Sequence, residues 1–228
     1  MKTALLSDIL SDRKGDIMKK IGKFHVLTDT RLQKNFSHIE LAEMALAGGA
    51  DTIQFRSKSG DTRKLIETAI QIRAMCLRAG VPLIINDRVD VAIASGADGV
   101  HLGQDDFPIP LARKLLGPDA IIGGSGGDMD ETLKCLSDGA DYIGSGPVYG
   151  TNSKPDAGEA TGIENIRLLA KEIPLPIIAI GSVGVRNIQE LLDAGAHGIA
   201  VISAVCLADD PKAAARKFRT ALDSYRKK

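Results

Sequence analysis

Gly49-Ala50-Asp51-Thr52-Ile53-Gln54-Phe55-Arg56 passes from a helix stop, through a short apolar run, to a polar tip. Its first three residues recur as Gly96-Ala97-Asp98, as Gly139-Ala140-Asp141 and, with one change, as Gly195-Ala196-His197. Each copy follows a helical apolar pattern and precedes another short apolar run. Glycine reaches positive φ without a Cβ penalty, so it ends the helix cleanly. The runs that follow, 52–56, 99–102, 142–145 and 198–202, read as strands.

A second set of apolar runs, 24–28, 82–86, 120–124 and 176–181, lies between the copies. Two interleaved sets of four predict eight strands. Short, continuously apolar strands fit a parallel sheet buried on both faces. Helical stretches separate them, among them 38–47 and 63–79. In the second of these Leu65, Ile66, Ala69, Ile70, Ile72 and Met75 fall largely on one stripe. Alternating strand and helix at a repeating spacing, eight times in about 200 residues, predicts a closed α/β (β/α)8 TIM barrel rather than an open sheet. The expected organisation is one barrel domain over 22–228, preceded by a short extension over 1–21 that could form a helix, with the last barrel helix over 211–226.

Composition narrows the function. Lysine plus arginine equals aspartate plus glutamate, 29 each, so no global field draws the chain to nucleic acid or to a membrane. Tryptophan is absent and aromatics make up 4%, which disfavours a base-stacking surface. No apolar run reaches the roughly 18 residues that span a bilayer. The first 21 residues are charged and interrupted, unlike a secretory signal, and the expectation is a cytoplasmic protein. Cys76, Cys135 and Cys206 sit singly in apolar stretches and read as small buried hydrophobes. Small-molecule chemistry is left, with self-association as a homo-oligomer open.

In this fold the reacting groups follow the strand ends. Strand two ends Gln54-Phe55-Arg56-Ser57-Lys58, and alternation sends Gln54 and Arg56 to one side, into the barrel. An amide and two cations there suit an anion, although a loop with one internal salt bridge would look the same. Asn86-Asp87 after strand three reads either as a helix N-cap or as a ligand pair. After strand four, His101 is open between a structural and a catalytic role. Adjacent Asp105 and Asp106 repel each other unless a cation is present. Asp87 and Asp106 together suit Mg2+, which takes one or two carboxylates plus phosphate oxygens. Strand five ends Gly123-Gly124-Ser125-Gly126-Gly127, a loop that lets a ligand approach the backbone. Strand six leads to Gly150-Thr151-Asn152-Ser153-Lys154, hydroxyls beside a lysine in a long loop of the kind that forms a mobile lid. Strands seven and eight end in small residues, Gly181-Ser182 and Ile202-Ser203-Ala204, where this fold frequently binds phosphate through backbone N–H groups. The residues therefore predict a Mg2+ site, an anion site around Lys58 and Lys154, and a separate phosphate site. They do not name the substrates.

At these strand ends the chain resembles the thiamine phosphate synthases (thiamine-phosphate pyrophosphorylases). The matching stretches are Gln54-x-Arg56-x-Lys58, Ile85-Asn86-Asp87-Arg88-Val89-Asp90, Gly99-Val100-His101-Leu102-Gly103-Gln104-x-Asp106, Gly139-Ala140-Asp141-Tyr142-Ile143-Gly144, Gly146-Pro147-Val148 and Val201-Ile202-Ser203-Ala204. The resemblance implies a Mg-dependent transferase of thiamine biosynthesis. Such an enzyme joins 4-amino-2-methyl-5-(diphosphooxymethyl)pyrimidine to a thiazole phosphate, 4-methyl-5-(2-phosphooxyethyl)thiazole or its carboxylated form, releasing diphosphate and giving thiamine phosphate. Carried over by position, it implies that Gln54, Arg56, Lys58, Asn86, Ser125 and Lys154 hold the pyrimidine diphosphate. Thr151, Asn152, Ser153, Ser182, Ile202 and Ser203 would hold the thiazole phosphate, and Asp87 and Asp106 the Mg2+. The family has Ser-x-His after strand five, Thr-x-Thr-Lys after strand six and Gly-Gly after strand seven. Here these are Ser125-Gly126-Gly127, Thr151-Asn152-Ser153-Lys154 and Gly181-Ser182. A thiazole tautomerase on the same fold, a non-catalytic binder of thiamine precursors and another phosphosugar barrel are the competing readings. The diphosphate and Mg2+ apparatus at Lys58, Asp87, Asp106 and Lys154 argues against the first two.

Overall fold

The computed structural model describes residues 21–151 and 158–226. The expected extension over 1–21 therefore lies outside the described residues, apart from Ile21. So do Asn152, Ser153 and Lys154, and with them most of the expected lid.

Among the described residues the chain forms eight strands: β1 (Phe24–Thr28), β2 (Thr52–Phe55), β3 (Leu83–Asn86), β4 (Gly99–Leu102), β5 (Ile121–Ser125), β6 (Tyr142–Ser145), β7 (Ile177–Ile180) and β8 (Gly198–Val201). They pair in chain order, all parallel, and β8 closes onto β1. The helices are α1 (His38–Ala47), α2 (Thr62–Ala79), α3 (Val89–Ser95), α4 (Ile109–Leu116), α5 (Met129–Ser137), α6 (Gly162–Glu172), α7 (Ile188–Asp193), α8 (Ser203–Cys206) and α9 (Pro211–Ser224). The barrel expectation holds, with some strand ends shifted by one residue. Within α2, Leu65, Ala69, Ile72 and Cys76 are buried, whereas Ile70 is 48% exposed and leaves the expected stripe. All three cysteines are buried and unpaired, as expected, and burial pushes the Cys76 thiol up to about 12.

The recurring Gly-Ala-Asp acquires a second purpose at the N-terminal ends of the strands. Asp51 donates its backbone N–H to Phe24 O at 3.1 Å, and its carboxylate accepts the Phe24 N–H at 2.7 Å. Asp98 makes the same double contact with Leu83, at 2.9 and 2.7 Å. Asp141 makes it with Ile122, at 2.7 Å for both bonds. Each aspartate therefore clasps the first or second residue of the preceding odd-numbered strand and satisfies an N–H that has no ladder partner. Each is backed by an arginine: Arg219 from α9 at 3.1 Å, Arg73 from α2 at 2.9 Å and Arg113 from α4 at 2.7 Å. Arg73 and Arg113 also donate to the repeat glycine carbonyls of Gly96 and Gly139. In the fourth copy His197 keeps the backbone bond, to Ile177 O at 2.8 Å, but turns its ring to Ile21 O at 2.9 Å.

Candidate active site at the C-terminal ends of the strands

Alternation along the short strands sends His25 and Leu27, Gln54 and Arg56, Asn86, His101, Ser125, Tyr142, Ile178 and Ile180, and Ala200 to the barrel interior. They line a cavity of about 640 Å3 that spans the C-terminal ends of the strands. The predicted site residues Gln54, Arg56, Lys58, Asn86, Asp87, Asp106, Ser125, Thr151, Ser182, Ile202 and Ser203 all line this one cavity. Its two sides differ in chemistry. The side built by β2 to β6 is polar and charged. The side built by β7, β8 and β1 presents Ile178, Ile180, Ala200 and Leu27, with the small tips Gly181-Ser182 and Ser203-Ala204 above them.

On the charged side Arg56 and Lys58 have separate partners. Arg56 is 1% exposed and its Nη1 pairs with Asp29, also 1% exposed, at the end of β1. Its Nε and Nη2 are buried without a partner among the described atoms. Arg56, expected to face an anion from the barrel interior, is buried there and is held from one end by the Asp29 carboxylate. Lys58 Nζ lies 2.5 Å from Asp87 Oδ2. Asp87 in turn faces Asp106, whose Oδ2 accepts the Gly103 N–H at 2.7 Å. Burial raises the Asp87 carboxyl above its ordinary value and the neighbouring Asp106 adds to this, while Lys58 opposes both. Two facing carboxylate groups, one disfavoured as an anion, are a donor set that a hard cation fits. Among the described residues no group of three or more such side chains could hold a metal. A two-carboxylate site relies on oxygens from elsewhere.

The N-cap alternative for Asn86-Asp87 is not what forms. The N-cap of α3 is Arg88, with no side-chain capping bond. Asp87 takes φ 66°, with its N–H on His101 O at 2.9 Å. Ser182 takes φ 49°, and its hydroxyl donates to Gly150 O at 2.6 Å. Among the described residues these two are the non-glycine positions with positive φ, and both line the cavity. Left-handed backbone costs about 1 kcal/mol or more for an ordinary residue. Such outliers concentrate where structure serves a site.

The glycines within and just after β5 make room inside the protein itself. A Cβ on Gly123 would meet the Tyr142 ring at 2.2 Å, one on Gly124 the Cys135 sulfur at 2.7 Å and one on Gly126 the Thr132 hydroxyl at 2.4 Å. At these three positions the close approach is made by the protein's own side chains. His101 is resolved as part of the cavity floor, with Nε2 3.0 Å from Ser125 Oγ and Nδ1 3.1 Å from the Tyr142 hydroxyl. Sequence reasoning passed over Asp29, His25 and Tyr142. Asp29 carried the usable signal, a charged residue directly after an apolar strand.

A profile of the thiamine monophosphate synthase family matches residues 24–205. The thiamine-phosphate synthase of Chloroflexus aurantiacus is 47% identical over 197 residues, 86% of this chain and 91% of that protein. That of Salinibacter ruber is 47% identical over 205 residues, 90% of each. The solved thiamine phosphate pyrophosphorylase from Pyrococcus furiosus superposes with a TM-score of 0.81 at 38% identity, covering 88% of this chain and 95% of that one. Among the described residues no helix is long and apolar enough to cross a membrane.

Proposed function

The chain belongs to the thiamine monophosphate synthase family, and from that premise we propose that it joins 4-amino-2-methyl-5-(diphosphooxymethyl)pyrimidine to a thiazole phosphate, releasing diphosphate. The observation that carries the reading is the cluster of Lys58, Asp87 and Asp106 in the same cavity as the small tips of β7 and β8. One end of the cavity has a lysine and a carboxylate pair that, with Mg2+ held between the carboxylates and the substrate, would suit a diphosphate leaving group. The other has the exposed backbone that a second, smaller phosphate requires.

In this reading Lys58 and Arg56, with Lys154 from the loop after β6, neutralise the departing diphosphate. Gln54, Asn86 and Ser125 hold the pyrimidine. Thr151, Asn152 and Ser153 contact the thiazole. The backbone at Ser182, Ile202 and Ser203 holds its phosphate. Asp87 and Asp106 would hold Mg2+, which when bound supplies positive charge to the leaving group. The nucleophile is a neutral ring nitrogen, so no strong general base is needed. Diphosphate departure first gives a pyrimidine-stabilised cation, which the thiazole nitrogen attacks. The protein's contribution is charge neutralisation and positioning within a cavity walled partly by Ile178, Ile180 and Ala200.

The test is turnover of both precursors by the purified protein, with Mg2+ and in excess chelator. Thiamine phosphate and diphosphate in equal amounts, formed with Mg2+ and lost with chelator, are the expected result. No product with both precursors and Mg2+ present overturns the reading.

A further inference from the structure

Gln54, Tyr142, His101 and Ser125 come from β2, β6, β4 and β5 and meet in one line across the cavity floor. The Gln54 side chain hydrogen-bonds the Tyr142 hydroxyl. That hydroxyl lies 3.1 Å from His101 Nδ1, and His101 Nε2 lies 3.0 Å from Ser125 Oγ. The barrel makes room for this line. A Cβ on Gly123 would lie 2.2 Å from the Tyr142 ring and 2.4 Å from His101 Nδ1. One on Gly144 would lie 2.8 Å from His101 Cε1. Two strands thus carry glycine at inward positions so that two rings can cross the interior. Gln54, His101 and Tyr142 are buried, where an unmade hydrogen bond is costly, so the direction of each bond matters.

The direction can be deduced. Gln54 Oε1 is buried without a partner among the described atoms, so the amide meets Tyr142 through Nε2, which can only donate. The tyrosine hydroxyl then gives its own proton to His101 Nδ1. A neutral imidazole that accepts at Nδ1 carries its proton on Nε2 and donates it to Ser125 Oγ. The serine proton is left to point away from His101, into the cavity that Ser125 lines. At the opposite end of the line stands the Gln54 Oε1 acceptor.

We propose that His101 and Tyr142 are positioning residues that set the polarity of this chain, making Ser125 a donor and Gln54 an acceptor. A 4-aminopyrimidine offers a ring-nitrogen acceptor beside an amino donor and matches these signs. A 4-oxopyrimidine offers a carbonyl acceptor beside a ring N–H donor and is mismatched at both. The two residues therefore determine which pyrimidine is read, without being placed at the reacting carbon. The inference rests on the synthase reading above.

The experiment compares kcat/KM for the 4-amino pyrimidine diphosphate with that for its 4-oxo counterpart, in the wild type, Tyr142→Phe and His101→Phe. The intrinsic reactivity of the two diphosphates cancels when ratios are compared between variants. A ratio measured on one preparation is also independent of how much of it is folded. The wild type should favour the amino substrate by about 1,000-fold or more. Each variant should lower that ratio by about tenfold, since the broken chain lets Ser125 turn its hydroxyl either way. Where turnover is too slow, the ratio of Kd values for the two diphosphates serves. Slower reaction of both substrates at an unchanged ratio is the mark of a purely structural role and overturns the proposal. Failure of the wild type to use the amino substrate at all would instead strike the synthase reading.

Discussion

At the N-terminal ends of the strands, Asp51, Asp98 and Asp141 each meet an arginine. At the C-terminal ends, Asp29 meets Arg56 and Asp87 meets Lys58. The side chains are of the same kinds and the strands are the same strands. The difference lies in what is left over. Below, each carboxylate accepts a backbone N–H and an arginine, and two of the arginines continue to glycine carbonyls; among the described residues Arg219 Nε is the one buried side-chain donor there without a partner. Above, two of the Arg56 nitrogens and Gln54 Oε1 have no partner, and Asp87 faces a second carboxyl group. Completed polar sets hold a fold together; incomplete ones, in a cavity, await a ligand.

This contrast is sharpest in its largest expected effect. Lys58→Ala should lower kcat/KM for the pyrimidine diphosphate by about 2–4 kcal/mol in transition-state terms, roughly 30- to 1,000-fold. It should leave thermal unfolding close to that of the wild type, because Lys58 is part exposed and packs on little. Steady-state kinetics beside calorimetry reads both, and an unchanged kcat/KM would dissolve the distinction between the ends.

The next effect belongs to a histidine in the cavity lining. Burial pushes His25 down to about 4, with Asp51 opposing it. Between that value and its ordinary 6.5 the unfolded chain binds a proton that the folded chain does not. Stability is therefore full above about 6.5 and falls as the pH drops toward 4, by on the order of 3 kcal/mol from this residue. Denaturant titration across that window should give a flatter profile for His25→Gln than for the wild type. Parallel profiles would mean that His25 is not held neutral.

Asp98→Ala should cost about 1–3 kcal/mol of stability by stranding the Leu83 N–H and the Arg73 cation, with kcat preserved at temperatures where the protein stays folded. A large loss of kcat in the folded enzyme would show that the lower end also serves the reaction. Smaller again is the effect on metal use. Asp87→Asn and Asp106→Asn should each raise the Mg2+ needed for half-maximal rate by about tenfold. The double variant should fall short of the product, because both act on one ion. Asp105→Asn is the control and should shift it least. Additive effects, or single variants with the wild-type Mg2+ dependence, would separate these carboxylates from the metal.

The strands, their order and their closure were legible because the Gly-Ala-Asp repeat marks every second strand. The cavity's charged lining was legible from polar residues at strand tips. Asp29 carried that same signal at the tip of β1 and was missed by attention to the other tips. The partners of Asp51, Asp98 and Asp141 were not legible in the same way. Arg113 precedes its aspartate by 28 positions and Arg73 by a similar stretch, but Arg219 lies 168 positions after Asp51, and only closure of the barrel makes the three pairs equivalent. The crossing rings were hidden for another reason. Tyr142 lies in a strand that reads as continuously apolar, and only the absent side chains of Gly123 and Gly144 explain how it reaches the middle of the barrel.

The clasps below the barrel also bear on how it is assembled. The Asp51, Asp98 and Asp141 clasps join residues only 27, 15 and 19 positions apart in the chain. Each can close as soon as its own strand–helix–strand unit has emerged, at a small loop-entropy cost. The fourth copy alone breaks the pattern: His197 reaches Ile21, 176 positions away, ahead of β1. Three of the four marks are thus local stitches, and the fourth is the seam at which the last strand joins the first. Truncation or circular permutation near residue 21 would cut that seam while leaving the three stitches whole.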